Sequence, residues 1–326
     1  RTVLQLPNTK SEIPCTREVN LTATSPRLRS ERSLPRRALD RASDSFDRAG
    51  LPITLAWVIP FFAAPVVLLI AYSFSTQSYA TAKISFGWSL DAWRGLSDPI
   101  VYRALIRSVA LSTAATVGCL AIGYPLAYFI ARHAGRLRSI ALVMIIIPFW
   151  VSFVIRAYAW VTILGTTGPI NHALLHIGLI GSPLHLEYNY TGIAIGIIYG
   201  YLPLMVFPLY VALERIDQRV IESARDLGAS TFATFRRVVL PQSIPGLIAG
   251  CLLVWIPALG EYVIPTILGG GKTYMIGNVI AQYFTAAFQW PLGSALSVVV
   301  VSLALIVVAV VVRVVGPKRI DPAYYS

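Results

Sequence analysis

Charge is what this 326-residue chain has least of: charged side chains make up 13% of it and hydrophobic ones 56%, where soluble domains carry roughly a quarter charged residues. With a mean hydropathy of +0.67, much of its surface must face lipid or other protein, which excludes an ordinary water-soluble domain. Histidine is scarce too, and His133, His172, His176 and His185 offer no H-E-x-x-H spacing and no metal cluster. The three cysteines, Cys15, Cys119 and Cys251, have neither pairing nor ligand spacing. A phosphate-binding loop is missing as well. Gly269-Gly270-Gly271-Lys272-Thr273 imitates the end of one, but G-x-x-x-x-G-K-[ST] needs glycine where Thr266 stands. Enzyme activity, and ATP hydrolysis by this chain itself, are therefore not expected.

Long apolar runs are what the chain has in quantity. Six stretches, 53–75, 108–131, 139–164, 192–213, 243–268 and 292–315, are each near the roughly 20 residues that cross about 30 Å of hydrocarbon. Helices of this length satisfy their own backbone, and the alternating pattern of barrel strands is absent. The expected fold class is all-α: a polytopic membrane protein with six transmembrane helices over 53–315, flanked by tails over 1–52 and 316–326. The N-terminal tail, with ten basic and six acidic side chains before Gly50, is too polar for a core of its own and is expected to be mobile. The run from residue 53 is too long for a cleaved signal and is expected to remain as an anchor. A start on Arg1 rather than methionine leads to the expectation of processing or trimming upstream.

The net charge of +12 has a topological reading, so no nucleic-acid partner is expected. Basic residues gather before Gly50, at Arg132, Arg136 and Arg138, between Arg215 and Arg237, and at Arg313, Lys318 and Arg319. By the positive-inside rule those segments and both termini are cytoplasmic. The outer connections, 76–107, 165–191 and 269–291, have apolar and aromatic positions suited to short interfacial helices. Either a folded partner docks there, or Trp88, Trp93 and Trp290 simply anchor the membrane boundary. Gly192, Gly196 and Gly200 recur every four residues, as do Gly246 and Gly250, which predicts close helix packing. Prolines at 60, 65, 125, 148, 203, 208, 257 and 265 predict bent spans.

The longest interior cytoplasmic loop, 214–242, has a legible design. Good helix formers run from Gln218 to Leu227, Gly228 suits the left-handed position that ends a helix, and Ser230 or Thr231 can cap a second one. A helix, a tight turn and another helix should project from the membrane, with Ala224 giving a shallow surface.

Glu222-Ser223-Ala224-Arg225-Asp226-Leu227-Gly228, nine residues, then Val238-Val239-Leu240-Pro241 resembles the E-A-A-x3-G-x9-I-x-L-P signature of importer-type ABC permeases. Glu222, Ala224, Gly228, Leu240 and Pro241 match it, and Ser223 and Val238 are variants. The stretches 150–164, 201–213 and 246–277 are similar to permeases of the spermidine/putrescine group. The resemblance implies a type I ABC importer permease fold in a bacterial inner membrane and a coupling helix held by an ATPase subunit. It further implies a second related permease, two ATPase subunits carrying ATP and Mg, an extracytoplasmic solute-binding protein, and polyamine cargo. No cofactor is expected in this chain.

Ionisable groups inside a span cost about 2.5–3.5 kcal/mol on translocon scales and so face a cavity or a partner. Arg156 and Glu261 are the two well inside, and Glu261 is the sole carboxylate of the expected spans. A carboxylate among aromatic faces suits a polyammonium ion, and Tyr158, Trp160, Tyr199, Tyr201, Trp255 and Tyr262 are the candidate aromatic partners. A structural Glu261–Arg156 ion pair is the competing reading. Two other functions stay open. One is an ABC importer permease for an opine, an amino-acid derivative or another organic cation. The other is an ion-coupled secondary carrier, whose inverted repeat or several intramembrane acids are not evident.

Overall fold

The computed structural model describes residues 36–77, 84–271 and 273–315. Residues 1–35 and 316–326 of the expected tails, together with Cys15 and Lys272, lie outside the described residues. The chain separates into two units, Arg1–Phe62 and Ala63–Ser326. Helix α1, Arg36–Ser73, begins within the segment whose polarity marked it as tail, and its apolar window is Ala56–Ser73. Within the first unit Trp57, Phe61 and Phe62 are exposed, as side chains meeting lipid would be.

In the second unit a two-residue antiparallel ladder, Thr76–Gln77 with Ile84–Ser85, precedes helix α2, Asp91–Arg94. Helix α3, Pro99–Arg132, is longer than its apolar run. Asp98 accepts a hydrogen bond from the Ile100 N–H at 2.8 Å and Pro99 occupies the first turn, so a cap and a proline start the helix on polar sequence. Helices α4, Arg138–Ile146, α5, Phe153–Leu164, and α6, Pro169–His176, follow. Then come α7, Tyr190–Arg215, α8, Gln218–Asp226, and α9, Thr231–Thr234. A π-helical turn, Phe235–Val239, leads into α10, Leu240–Leu259. Helices α11, Val263–Leu268, α12, Ile276–Thr285, and α13, Trp290–Val315, complete the described chain. The short helices α2, α6 and α12 fall in the three connections expected to hold them.

Among the described residues five helices are long and apolar enough to span a membrane, and one bent pair brings the number to six if it is counted as a single span. That pair holds the expected span at 139–164, where Pro148 predicted a bend, and the bend is sharp enough to divide it into two helices. After α4 the backbone tightens into a 3-10 turn at Ile147–Trp150, passes through extended Val151 and Ser152, and restarts as α5; Gly135–Trp150 and Phe153–His176 are bent by 94°. Pro148 has no N–H to continue the ladder, which locates the break. The expected span at 243–268 is also broken, between Leu259 and Val263, whereas α3 and α7 run through Pro125, Pro203 and Pro208 without interruption. Proline therefore interrupts the helix at only some of these positions.

The glycine faces do pack. Helix α7 lies against α3 and α10. A Cβ on Gly246 would sit 2.5 Å from the Pro208 carbonyl oxygen, and one on Gly250 would sit 3.1 Å from that of Met205. On the other side of α7, a Cβ on Gly196 would press on Ile264 and Leu268 of α11. Backbone cannot step aside as a side chain can, so Gly246→Val is expected to destabilise the bundle by about 1–3 kcal/mol through overpacking. A lowered melting temperature of the detergent-solubilised subunit checks this, and an unchanged one would mean that α7 and α10 are not in close contact.

Candidate functional site

The 214–242 loop forms as its residues dictate. Helix α7 stops at Arg215, Ile216 is extended, and Asp217 accepts the Arg219 N–H at 2.9 Å to start α8. At the far end the Gly228 N–H reaches the Arg225 carbonyl at 2.9 Å and the Ala229 N–H reaches that of Ala224 at 3.1 Å. This is the paired closure of a Schellman motif, and Gly228 holds the φ of +82° it needs. Ser230 then accepts from the Ala233 N–H at 3.2 Å and caps α9.

The loop has two faces. Ile221 of α8 is buried with Leu213, Ile216, Val239 and Ile130, which anchors the element in the core. The opposite surface shows Leu227 at 88% and Phe232 at 72% exposure, beside exposed Glu222, Ser223, Arg225 and Asp226, with Ala224 half-buried. Burying such a leucine or phenylalanine contributes about 1.5–3 kcal/mol, so the two together offer apolar area suited to a partner's surface. Leu240 and Pro241 are half-buried at the start of α10, and they fasten the loop to its span.

Across the membrane-spanning part, Glu261 sits in the break between α10 and α11 and is 7% exposed. Its Oε1 accepts the Val263 and Ile264 N–H groups at 2.9 and 3.3 Å, and Pro265 has no N–H to satisfy. The first three positions of α11 are thus accounted for by one carboxylate and one proline. The Tyr201 hydroxyl donates to the other oxygen, Oε2, at 2.5 Å. Arg156 lies on α5, its guanidinium carbon 5.1 Å from the Phe149 ring centre and 5.3 Å from that of Phe153. Its Nε and Nη1 are buried without hydrogen-bond partners. The expected Glu261–Arg156 ion pair is not formed; the ion pairs among the described residues are Arg94–Asp91 and Arg138–Glu214. Glu261 is committed to backbone and phenol, and Arg156 to aromatic faces.

Arg156, Trp160 and Tyr199 line one small cavity with Phe153, Gly196 and Gly200; Trp160 and Tyr199 meet edge to face at 5.2 Å, and Tyr201 adjoins through Phe153. Tyr158 and Tyr262, 62% and 51% exposed, do not line that cavity. Trp255 is held on α3 by a 3.0 Å bond from its Nε1 to the Thr113 hydroxyl. Sequence reasoning missed Phe149 and Phe153, the rings that face the arginine. An aromatic three positions before Arg156, on the same helical face, was the available signal.

Residues 123–321 match the family model for the binding-protein-dependent transport system inner membrane component. The spermidine/putrescine transport system permease protein PotB of Escherichia coli K12 is 38% identical over 78% of this chain and 93% of its own. Its namesake from Haemophilus influenzae is 37% identical over 78% and 89%. Among solved structures, one chain of a bacterial alginate ABC transporter bound to its periplasmic protein has a TM-score of 0.65 at 18% identity, covering 88% of this chain and 99% of that one. That likeness shows a shared fold, the one adopted by ABC importer permeases. With the family model covering more than half of it, this chain belongs to the binding-protein-dependent transport system inner membrane components: it is a transport permease.

Proposed function

We propose that the chain is one permease subunit of an ATP-driven importer for polyamines of the putrescine and spermidine type. The observation that carries the cargo assignment is identity of 36–38% to spermidine/putrescine permeases across 78% of the chain. A buried carboxylate with no cationic partner among the described residues agrees with it. In this reading a solute-loaded extracytoplasmic binding protein docks on the outer connections. Two ATPase subunits, which hold ATP and Mg, grip α8 and α9 of this chain and the equivalent loop of a second permease. ATP-driven closure draws the two loops together, the membrane helices rock outward, and hydrolysis resets them. Both termini are cytoplasmic, the segments 1–52 and 316–326 serve as tails to the 53–315 permease domain, and no cofactor is bound by this chain.

For the pathway, Glu261 is the low-affinity waypoint for an ammonium group, with Tyr201, Tyr199, Trp160, Tyr158, Trp255 and Tyr262 supplying aromatic faces. Release of Glu261 from Tyr201 frees an acceptor at the moment of passage. A second reading is favoured by Arg156, whose unpartnered guanidinium N–H groups suit a solute that also bears an anionic group, such as an opine or amino-acid derivative. Purifying the binding protein that associates with this permease and identifying its retained ligand separates the two. Polyamine is the expected result; a consistently different solute, with polyamine absent, would overturn the cargo assignment.

A further inference from the structure

Two arginines counted from the sequence only as topology markers grip the root of the coupling loop. Arg132 ends α3, and its Nη2 donates to the carbonyls of Leu213 at 2.8 Å and Ile216 at 2.9 Å, while Nη1 donates to the Gln218 side chain at 3.3 Å. Those carbonyls belong to the end of α7 and to the single extended residue before the Asp217 cap, where no intrahelical partner is available. Arg138 begins α4 and takes the other flank of the same turn. Its guanidinium pairs with Glu214, bonds the Tyr210 hydroxyl and lies 4.9 Å from the centre of the Tyr210 ring. Both arginines come from one short inner connection, and between them they hold the last turn of α7 and the first residue of α8.

Helix α4 is the first half of the bent span, and the span's second half, α5, carries Arg156 and Trp160. We infer that Arg132 and Arg138 form a clamp that transmits displacement of the coupling helix to the bent third span, acting as positioning residues for the transport cycle. A loop joined to the bundle through Ile216 alone would let α8 swing without moving α4. Charged donors on helix-end carbonyls, and an arginine both paired and stacked, make the joint stiff instead.

This inference rests on the proposed ATP-driven importer. Its test uses the complete importer reconstituted with its binding protein loaded with putrescine, and compares stimulated with basal ATP hydrolysis beside uptake. Arg132→Gln and Arg138→Gln are expected to leave assembly and basal hydrolysis unchanged, while uptake and the stimulation ratio each fall about ten-fold, the worth of one charge-assisted hydrogen bond. Exchanging the pair, Arg138→Glu with Glu214→Arg, restores the ion pair but not the stacking on Tyr210, and is expected to recover part of both. A purely structural staple would lower assembly or melting temperature without altering the stimulation ratio of the complexes that remain. If the variants kept the wild-type ratio, the clamp would be wrong; if the wild-type complex itself showed no stimulation, the importer reading beneath it would fail instead. Where Arg132→Gln does not assemble, the Arg138 and Glu214 exchange decides alone.

Discussion

Gly228→Val is expected to abolish ATP-driven uptake while leaving the subunit inserted and associated with its partner permease. Gly228 occupies φ of +82° and a Cβ there would meet nothing within 4 Å, so the penalty is conformational and not steric crowding. A β-branched residue in that region costs about 1–3 kcal/mol, which the turn avoids by opening. Opening loses the bonds from Gly228 to Arg225 and from Ala229 to Ala224, and with them the fixed offset between Leu227 on one helix and Phe232 on the next. Asparagine tolerates the left-handed region better than alanine, and alanine better than valine. Uptake should therefore fall in the order Asn, Ala, Val, with stimulated ATP hydrolysis falling alongside it. Equal uptake in all three variants would show that the turn is dispensable.

Glu261→Gln is expected to cut polyamine uptake by ten- to hundred-fold, the range of about 1.5–3 kcal/mol for a hydrogen bond to a charged group, with little change in stability. The amide oxygen can still accept from Val263 and Ile264, and the Tyr201 hydroxyl can turn from donor to acceptor toward the amide nitrogen. What disappears is the negative charge. Glu261→Ala removes the cap as well, exposes two unsatisfied N–H groups at the start of α11, and should also lower stability by about 1 kcal/mol. Normal uptake by Glu261→Gln would reduce Glu261 to a helix cap and end its role as a cation waypoint.

The 214–242 loop was readable because its chemistry is local. Gly228 and Ser230 act within three residues of where they stand, so the turn and the second cap followed from the order of residues; the Asp217 cap of α8 is equally local and was overlooked. The spans were readable as apolar lengths, and the glycine faces as periodicity. Which of the predicted bends become breaks was not readable, because proline alone does not decide between a break and an uninterrupted helix. Just after Pro148 the chain leaves the helix through Val151 and Ser152, whereas at Pro203 and Pro208 α7, packed between α3 and α10, continues without a break. The fate of Glu261 was hidden for the same reason. Seen as a lone carboxylate in an apolar run it called for a distant counter-charge, yet the break beside it supplied N–H donors two and three residues away, and Tyr201 arrived from another helix. Arg132 and Arg138 read in the sequence only as charges that mark a side of the membrane, because their partners Tyr210, Leu213 and Ile216 lie 72 to 84 positions away and only the packing of α3 on α7 brings them together.

The central claim, that this permease moves polyamine on energy from a separate ATPase, is tested most directly in sealed vesicles. The complete importer is reconstituted with its binding protein outside, ATP is enclosed on the side of α8 and α9, and labelled putrescine is followed. Accumulation against a gradient that needs ATP and the binding protein, and survives collapse of ion gradients, is the predicted result. Accumulation that follows an ion gradient and ignores ATP would contradict the account.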